Sequence, residues 1–269
     1  MFGYVNTEDI FRINVLYTAF SERHESSYYF GGEYHNFWEI VIVTKGELGI
    51  TAGSDVFMLK KGQAVIHEPM EFHRLWSEGK VETEYIIFSF KASGVPKISS
   101  KIFEIKDLDI PYAILKNIQE NFKVHHNNVV EINDPDGVAY QTTIKELEMF
   151  ILETLSERIE KRKDVKTQPA KNYTRIVNIM ESNIDKRLSV AEIAKLCNMS
   201  EVNLKKTFSR YSGMGVMEYF NHLKITAAIE RLKRGETVQE TADSLGFLNQ
   251  NYFSTVFKRI TGKNPTYYK

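Results

Sequence analysis

Cysteine is almost missing from this chain: Cys197 is the only one in 269 residues. A lone thiol closes no internal disulfide and supplies no thiolate cluster for zinc, which suits a reducing, cytoplasmic setting. Long hydrophobic runs are missing too. The uninterrupted ones stop at four residues, as in Ile40 to Val43, against the ~20 needed to cross a bilayer, so no membrane span is expected. The opening stretch MFGYVNTEDIF has neither the basic start nor the apolar core of a secretory signal. An excess charge of either sign is also lacking, with 35 Lys+Arg against 35 Asp+Glu, which taken alone argues against a nucleic-acid partner. What is present is apolar material, 42% hydrophobic and 12% aromatic residues, enough to exclude a disordered or fibrous chain. The length favours two domains over one.

The balanced charge hides a division. Residues 166–269 hold 17 Lys+Arg and 9 Asp+Glu, a net of +8, and residues 1–165 hold the remaining 18 and 26, a net of −8. A basic domain of about a hundred residues is an electrostatic footprint for phosphate, although a Lys-rich soluble surface would look the same. Six of the seven histidines fall in the acidic half.

From about 13 to 92 the pattern is short, β-branched and aromatic, alternating in EIVIV, ELGITAG, DVFML and EYIIFSF with glycine turn signals between. This predicts a compact antiparallel barrel or sandwich. From about 107 the period lengthens. Ile114, Leu115, Ile118 and Phe122 suit one helix, and a second is expected from near Asp134, with Pro135 in its first turn and Ile144, Leu147, Ile151, Leu155 and Ile159 recurring to about 162. KRKDVKTQPAK is charged, contains Pro169 and has no apolar period. The linker is therefore placed at 163–171, between a first domain over 1–162 and a second over 172–269.

The basic half reads as two helix-turn-helix units. In LSVAEIAKLCNMSEVNLKKTFSRY, Ala194 lets two helices approach, Asn198 ends the first in the left-handed conformation, Met199 plugs the corner and Ser200 caps the next. Leu204 and Phe208 then face inward. The grammar returns in TVQETADSLGFLNQNYFSTVFKRITG, where Ala242, Gly246 and Asn249 match Ala194, Asn198 and Ser200, and Phe253 and Phe257 point inward. A helix from about Gly215 to Arg234, with Phe220, Leu223, Ala227 and Leu232 on its apolar side, joins them. Twenty residues span about 30 Å, near the ~34 Å between successive major grooves on one face of DNA. Cys197 reads as a small buried apolar residue.

At these residues the chain resembles the AraC family of transcriptional regulators, from YTRIVNIMESNIDKRLSVAEIA through EYFNHLKITAAIERL to ADSLGFLNQNYFSTVFKRITGKNPTYYK. The resemblance implies that outward positions early in each reading helix touch bases: Val202, Lys205 and Lys206 in the first, Gln250, Asn251 and Thr255 in the second. Lys can donate to guanine, Asn or Gln can pair with adenine, and Val can meet a thymine methyl. For the lysines, phosphate contact or a solvated face is the alternative. Ser209, Arg210, Lys258, Arg259 and Lys263 read as phosphate contacts. The family often carries Arg where Thr255 stands, which shifts the weight in the second helix to Gln250 and Asn251.

HNFWEIVIVTKGELGI followed by LKKGQAVIHEPMEFHRL resembles the cupin-like β-barrel that many such regulators carry in front of their DNA-binding domain. The fold class is thus α+β: a cupin-like antiparallel barrel with a helical dimerisation segment, then an all-α domain. Tyr34, Phe37, Trp38 and Trp76 offer flat faces for a small molecule such as a sugar, and His35, Glu39, His73 and Arg74 offer polar groups. His67, Glu68 and Glu71 read as turn or surface residues. A metal cupin would add a second histidine where Phe37 stands, so no cofactor is expected, with His35, Glu39 and His73 kept as a minority metal set. The resulting expectation is a dimeric, ligand-responsive regulator of double-stranded DNA and of carbohydrate-related genes, acting through RNA polymerase as an activator, the commoner family mode, with repression equally compatible with the sequence. The competing classes are a metal-dependent cupin enzyme with a helical appendage and a nonspecific architectural DNA binder.

Overall fold

The computed structural model describes residues 11–25, 27–77, 82–98, 100–156 and 167–269. Strands β1 (Arg12–His24), β2 (Tyr28–Tyr29), β3 (Trp38–Lys45), β4 (Glu47–Ala52), β5 (Asp55–Lys60), β6 (Gln63–His67), β7 (His73–Ser77), β8 (Thr83–Ser93) and β9 (Ile102–Glu104) come first. Helix α1 (Asp109–Asn121), a hairpin of β10 (Phe122–His125) and β11 (Asn128–Ile132), and helix α2 (Ala139–Ser156) follow. The C-terminal half is helical: α3 (Gln168–Glu181), α4 (Val190–Leu196), α5 (Glu201–Ser212), α6 (Val216–Lys233), α7 (Val238–Ser244), α8 (Gln250–Thr261) and a closing 3-10 turn at Pro265–Tyr268. The fold is α+β. No helix of the described residues is long and apolar enough to cross a membrane.

Two antiparallel sheets face each other, one of seven strands in the order β10-β11-β1-β8-β3-β6-β9 and one of four in the order β2-β7-β4-β5. Strand alternation distributes the core. In β3, Val41 and Val43 point between the sheets with Leu48, Ile50 and Leu75, whereas Ile40 and Ile42 point the other way, onto Ile114, Ile118, Leu147 and Ile151 of α1 and α2. The larger sheet is therefore buried on both faces, which is why EIVIV reads as a continuous apolar run.

The smaller sheet is covered on its outer face as well. Val56, Phe72 and Trp76 share a core with Tyr173, Val177, Phe208, Tyr211 and Tyr219 of α3, α5 and α6. The molecule thus stacks in layers: α1 and α2, the seven-stranded sheet, the four-stranded sheet, then the first helix-turn-helix unit. The second unit has its own core around Ile225, Leu232, Phe253 and Phe257.

Four expectations are corrected. Pro135 lies in a turn before α2, which starts at Ala139, and Phe122 opens a hairpin instead of closing α1. Ile159 and the expected linker up to 166 fall outside the described residues, while Pro169 sits in the first turn of α3, capped by Thr167. The connecting helix α6 buries Tyr219, Phe220, Ile225, Ala228, Ile229 and Leu232, leaving Leu223 and Ala227 only partly covered, because cores press on it from two sides.

Candidate functional site

Four polar side chains converge at one end of the space between the sheets: Glu33 and His35 from the loop before β3, Glu39 from β3 and His73 from β7. Glu39 shares its side of β3 with Val41 and Val43, and His73 shares its side of β7 with Leu75, so alternation aims both inward. Glu33 is fixed by a pair of backbone hydrogen bonds with His73, 3.0 and 3.2 Å. Their ligand atoms all lie within 4.8 Å of one another.

The electrostatics of this cluster are strongly coupled. Burial opposes ionisation of Glu39, but the facing imidazoles of His35 and His73 outweigh it and hold its carboxyl well below the usual range. Burial likewise opposes charge on His73, yet Glu33 and Glu39 push its pKa up to about 10. Ser89 donates to Glu39 Oε2 at 2.8 Å and is itself 2.6 Å from the Thr18 hydroxyl, so the carboxylate is fixed from behind. His67, expected in a turn or on the surface, is instead fully buried at the end of β6 and stacked on His73 with ring centroids 4.4 Å apart. Burial, with His73 beside it, lowers its pKa to about 4. Glu71 pairs with Lys101 and lies 3.5 Å from His67, and these partners outweigh burial to lower its pKa to about 2.

Of the expected pocket residues, His35, Glu39 and His73 meet. Phe37 stacks on His35 at 3.7 Å, and Trp38 packs partly buried against the core under α1 and α2. Tyr34, Arg74 and Trp76 do not join them, because each is one position out of phase with the inward residues. Tyr34 stacks on His222 of α6 at 4.0 Å, and Trp76 packs against Tyr211 at 5.9 Å over Gly49, where a Cβ would come within 2.2 Å of the indole.

Arg74 reaches across to α5. It donates to the carbonyls of Ser209 at 3.1 Å and Arg210 at 2.9 Å, and Thr51 donates to that of Tyr211 at 2.8 Å. Three successive carbonyls in the last turn of that helix thus accept from the smaller sheet, that of Ser209 in addition to the Gly213 N–H at 3.1 Å. The phenols of Tyr173 and Tyr219 both donate to the Gly53 carbonyl, at 3.1 and 3.3 Å. Sequence reasoning missed Glu33, Thr51, Gly53, Tyr173, Tyr219 and His222. Only Glu33, two positions before His35, had a signal in the sequence.

The two helix-turn-helix units carry matching local signals. Ser189 with Glu192 and Thr237 with Glu240 form capping boxes at the starts of α4 and α7. Asn198 and Gly246 adopt φ of 51° and 64° at the turns, and Ser200 and Asn249 cap α5 and α8. Ala194, Leu204, Phe208, Ala242, Phe253, Phe257 and Cys197 are buried. Val202, Lys205, Lys206, Gln250, Asn251 and Thr255 are exposed, as are Ser209, Arg210, Lys258, Arg259 and Lys263. Lys205 pairs with Glu201 at 3.5 Å, and the Thr255 hydroxyl donates back to the Asn251 carbonyl at 3.0 Å.

Residues 16–119 match the AraC-like ligand binding domain and residues 186–269 a helix-turn-helix domain. The HTH-type transcriptional activator RhaR of Pectobacterium atrosepticum is 22% identical over 98% of this chain and 94% of its own. The HTH-type transcriptional regulator YidL of Escherichia coli is 24% identical over 86% of this chain and 74% of its own. The crystal structure of ToxT from Vibrio cholerae, 16% identical over 96% of each chain, superposes with a TM-score of 0.36, a likeness too loose to carry weight. With a ligand-binding-type sensor barrel matched at one end and a helix-turn-helix domain at the other, the chain belongs to the AraC family of transcriptional regulators.

Proposed function

We propose that this regulator is effector-responsive and sequence-specific: a molecule held by the polar cluster between the sheets changes how the helix-turn-helix units are presented to DNA. The observation that carries this reading is the shared four-stranded sheet. His73 and Arg74 are neighbours on β7, one facing the cluster and the other holding the end of α5. A shift of β7 of a few tenths of an ångström therefore acts on both sides at once.

Val202, Lys205, Lys206, Gln250 and Asn251 are assigned to base edges, with Thr255 a weaker reader because its hydroxyl is turned back to the main chain. Lys258, Arg259 and Lys263 are assigned to phosphates, together with the side chains of Ser209 and Arg210. Dimerisation is assigned to the α1–α2 layer, where Met149 and Leu152 of α2 remain exposed. Activation through RNA polymerase is the assigned mode, in keeping with a relative named as an activator. A carbohydrate-related role retains less support than the sequence suggested, since Tyr34 and Trp76 face the helical domain. The metal-dependent enzyme reading is set aside because relatives matched over most of the chain are named as regulators.

The test is selection of bound sequences from random duplex DNA at near-physiological salt, with and without small polar metabolites. A recurrent site with two elements about one helical turn apart is expected, with base preference altered by Lys206→Ala or Asn251→Ala. Binding without enrichment, lost evenly as salt rises, would overturn the reading in favour of a nonspecific DNA binder.

A further inference from the structure

We propose that the sensor barrel binds one divalent first-row transition-metal ion through Glu33, His35, Glu39 and His73. Backbone carbonyls fix the tautomers of both histidines. His35 Nδ1 lies 2.9 Å from the Phe37 carbonyl and His73 Nδ1 3.3 Å from the Glu71 carbonyl. A carbonyl only accepts, so each Nδ1 carries a hydrogen and each Nε2 is turned toward the carboxylates. Main-chain acceptors behind a histidine are the usual device for presenting its other nitrogen to a metal.

The spacing then discriminates between a proton and a larger cation. His73 Nε2 is 3.3 Å from Glu39 and 3.5 Å from Glu33, and His35 Nε2 is 3.7 Å from Glu39. Neither nitrogen has a hydrogen-bond partner, although His73 is 1% and the His35 side chain 8% exposed. Charge-assisted hydrogen bonds would draw such groups to about 2.7–2.9 Å. Two ligands each about 2.1 Å from one ion, at right or tetrahedral angles, stand roughly 3.0–3.4 Å apart. The His73–Glu39 pair has the second spacing, and the other two distances are a little wider than either.

Charge and donor type select the ion. One divalent cation balances the buried Glu39 carboxylate and the half-exposed Glu33 together. Imidazole with carboxylate suits zinc, iron(II), manganese, nickel or cobalt, whereas calcium wants six to eight oxygens and copper(I) wants sulfur. The Glu33 side chain is 48% exposed and marks the entry side, and Ser89 with Thr18 fixes Glu39 from the opposite side. His67, stacked behind His73, limits how far that ring can tilt.

Binding the ion would set the position of His73 against Glu33 and Glu39, and with it the strand that carries Arg74. That link to DNA rests on the effector-responsive reading above; the binding step does not. The experiment uses the full chain, stripped by chelator and titrated with cobalt(II), with visible d–d absorption reporting His and carboxylate ligation. One equivalent is expected to bind with a rise in Tm. Glu33→Gln, at an exposed position that cannot unfold the barrel, should weaken it at least ~10-fold, and His35→Asn should abolish the absorption. No stoichiometric uptake by the folded protein, or uptake unchanged in both variants, would overturn the site. DNA selection with and without zinc separates the two readings. A metal that binds and shifts the preferred site supports both. One that binds and shifts nothing keeps the metal site and removes only its coupling to DNA.

Discussion

Arg74 does for α5 what a capping residue normally does from within the same domain: it supplies donors to last-turn carbonyls, Arg210 and also Ser209, which accepts from the Gly213 N–H as well. Arg74→Met keeps most of the aliphatic bulk but leaves the Ser209 and Arg210 carbonyls without this donor. The expected loss is about 2 kcal/mol, in the range for hydrogen bonds to a charged group, read as a lower denaturation midpoint. His222 gives a pH-dependent counterpart. Burial, only partly offset by Glu218 and aided by Arg259, lowers its pKa from 6.5 to about 4, and its ring lies flat on Tyr34. Between those values the unfolded chain binds a proton that the folded one refuses, so this residue withdraws stability as pH falls from about 6.5 to about 4. His222→Phe keeps the stacking and should abolish that part of the dependence; parallel pH–stability curves for variant and parent would refute the assignment. The roles of Arg74 and Trp76 were within reach of the sequence. Adjacent strand residues cannot face the same cavity, so once His73 and Glu39 are placed inside, their neighbours must face out. What lies out there is not written locally, because the partner segment is more than a hundred residues away.

At the scale of elements, α6 differs most from its sequence reading. Amphipathic periodicity assumes one wet face, and this helix is pressed by cores on two sides. Lys224 sits in its buried stretch, with its ammonium donating to the Lys186 carbonyl before α4 at 2.7 Å and to the Leu245 carbonyl at the end of α7 at 2.6 Å. Lys224→Met would fill the space and orphan both acceptors, which should cost about 1–3 kcal/mol and lower Tm by several degrees, measurable by calorimetry. The two turns, by contrast, were legible almost residue by residue. Ala194, Asn198 and Ser200, and their counterparts Ala242, Gly246 and Asn249, act through local sterics and capping that need no distant partner. The β10–β11 hairpin was missed because its apolar residues continue the helical spacing of α1. At Gly213 the backbone leaves α5 with φ of 66°, and a Cβ there would come within 2.2 Å of the Gly31 carbonyl. Gly213→Ala should therefore separate the smaller sheet from α5, seen as faster proteolysis of the helical half without loss of its helix content.

Across the whole molecule, cores do not follow the domain boundary that charge and composition suggest. One cluster joins the outer face of the smaller sheet to α3, α5 and α6, and another gathers the second helix-turn-helix unit onto α6, with Met70 of the barrel and Ile184 partly buried against it. Native-state hydrogen exchange should show α3 to α5 opening together with β4 and β7, while α7 and α8 open at lower free energy. If all the helices α3 to α8 exchanged as one unit apart from the sheets, the shared core would not be energetically real. The charge division remains a sound guide to what each half meets in solution, but it cannot reveal that Val56, Phe72 and Trp76 have their packing partners in the other half. The notch over Gly49 into which Trp76 fits, and the pair of tyrosines ending on the Gly53 carbonyl, make the sensor and the reader of this chain a matched pair rather than interchangeable modules. A chimera that places this barrel ahead of another regulator's DNA-binding half would inherit an apolar surface cut to fit a neighbour it no longer has, and substitutions along that seam must change on both sides together.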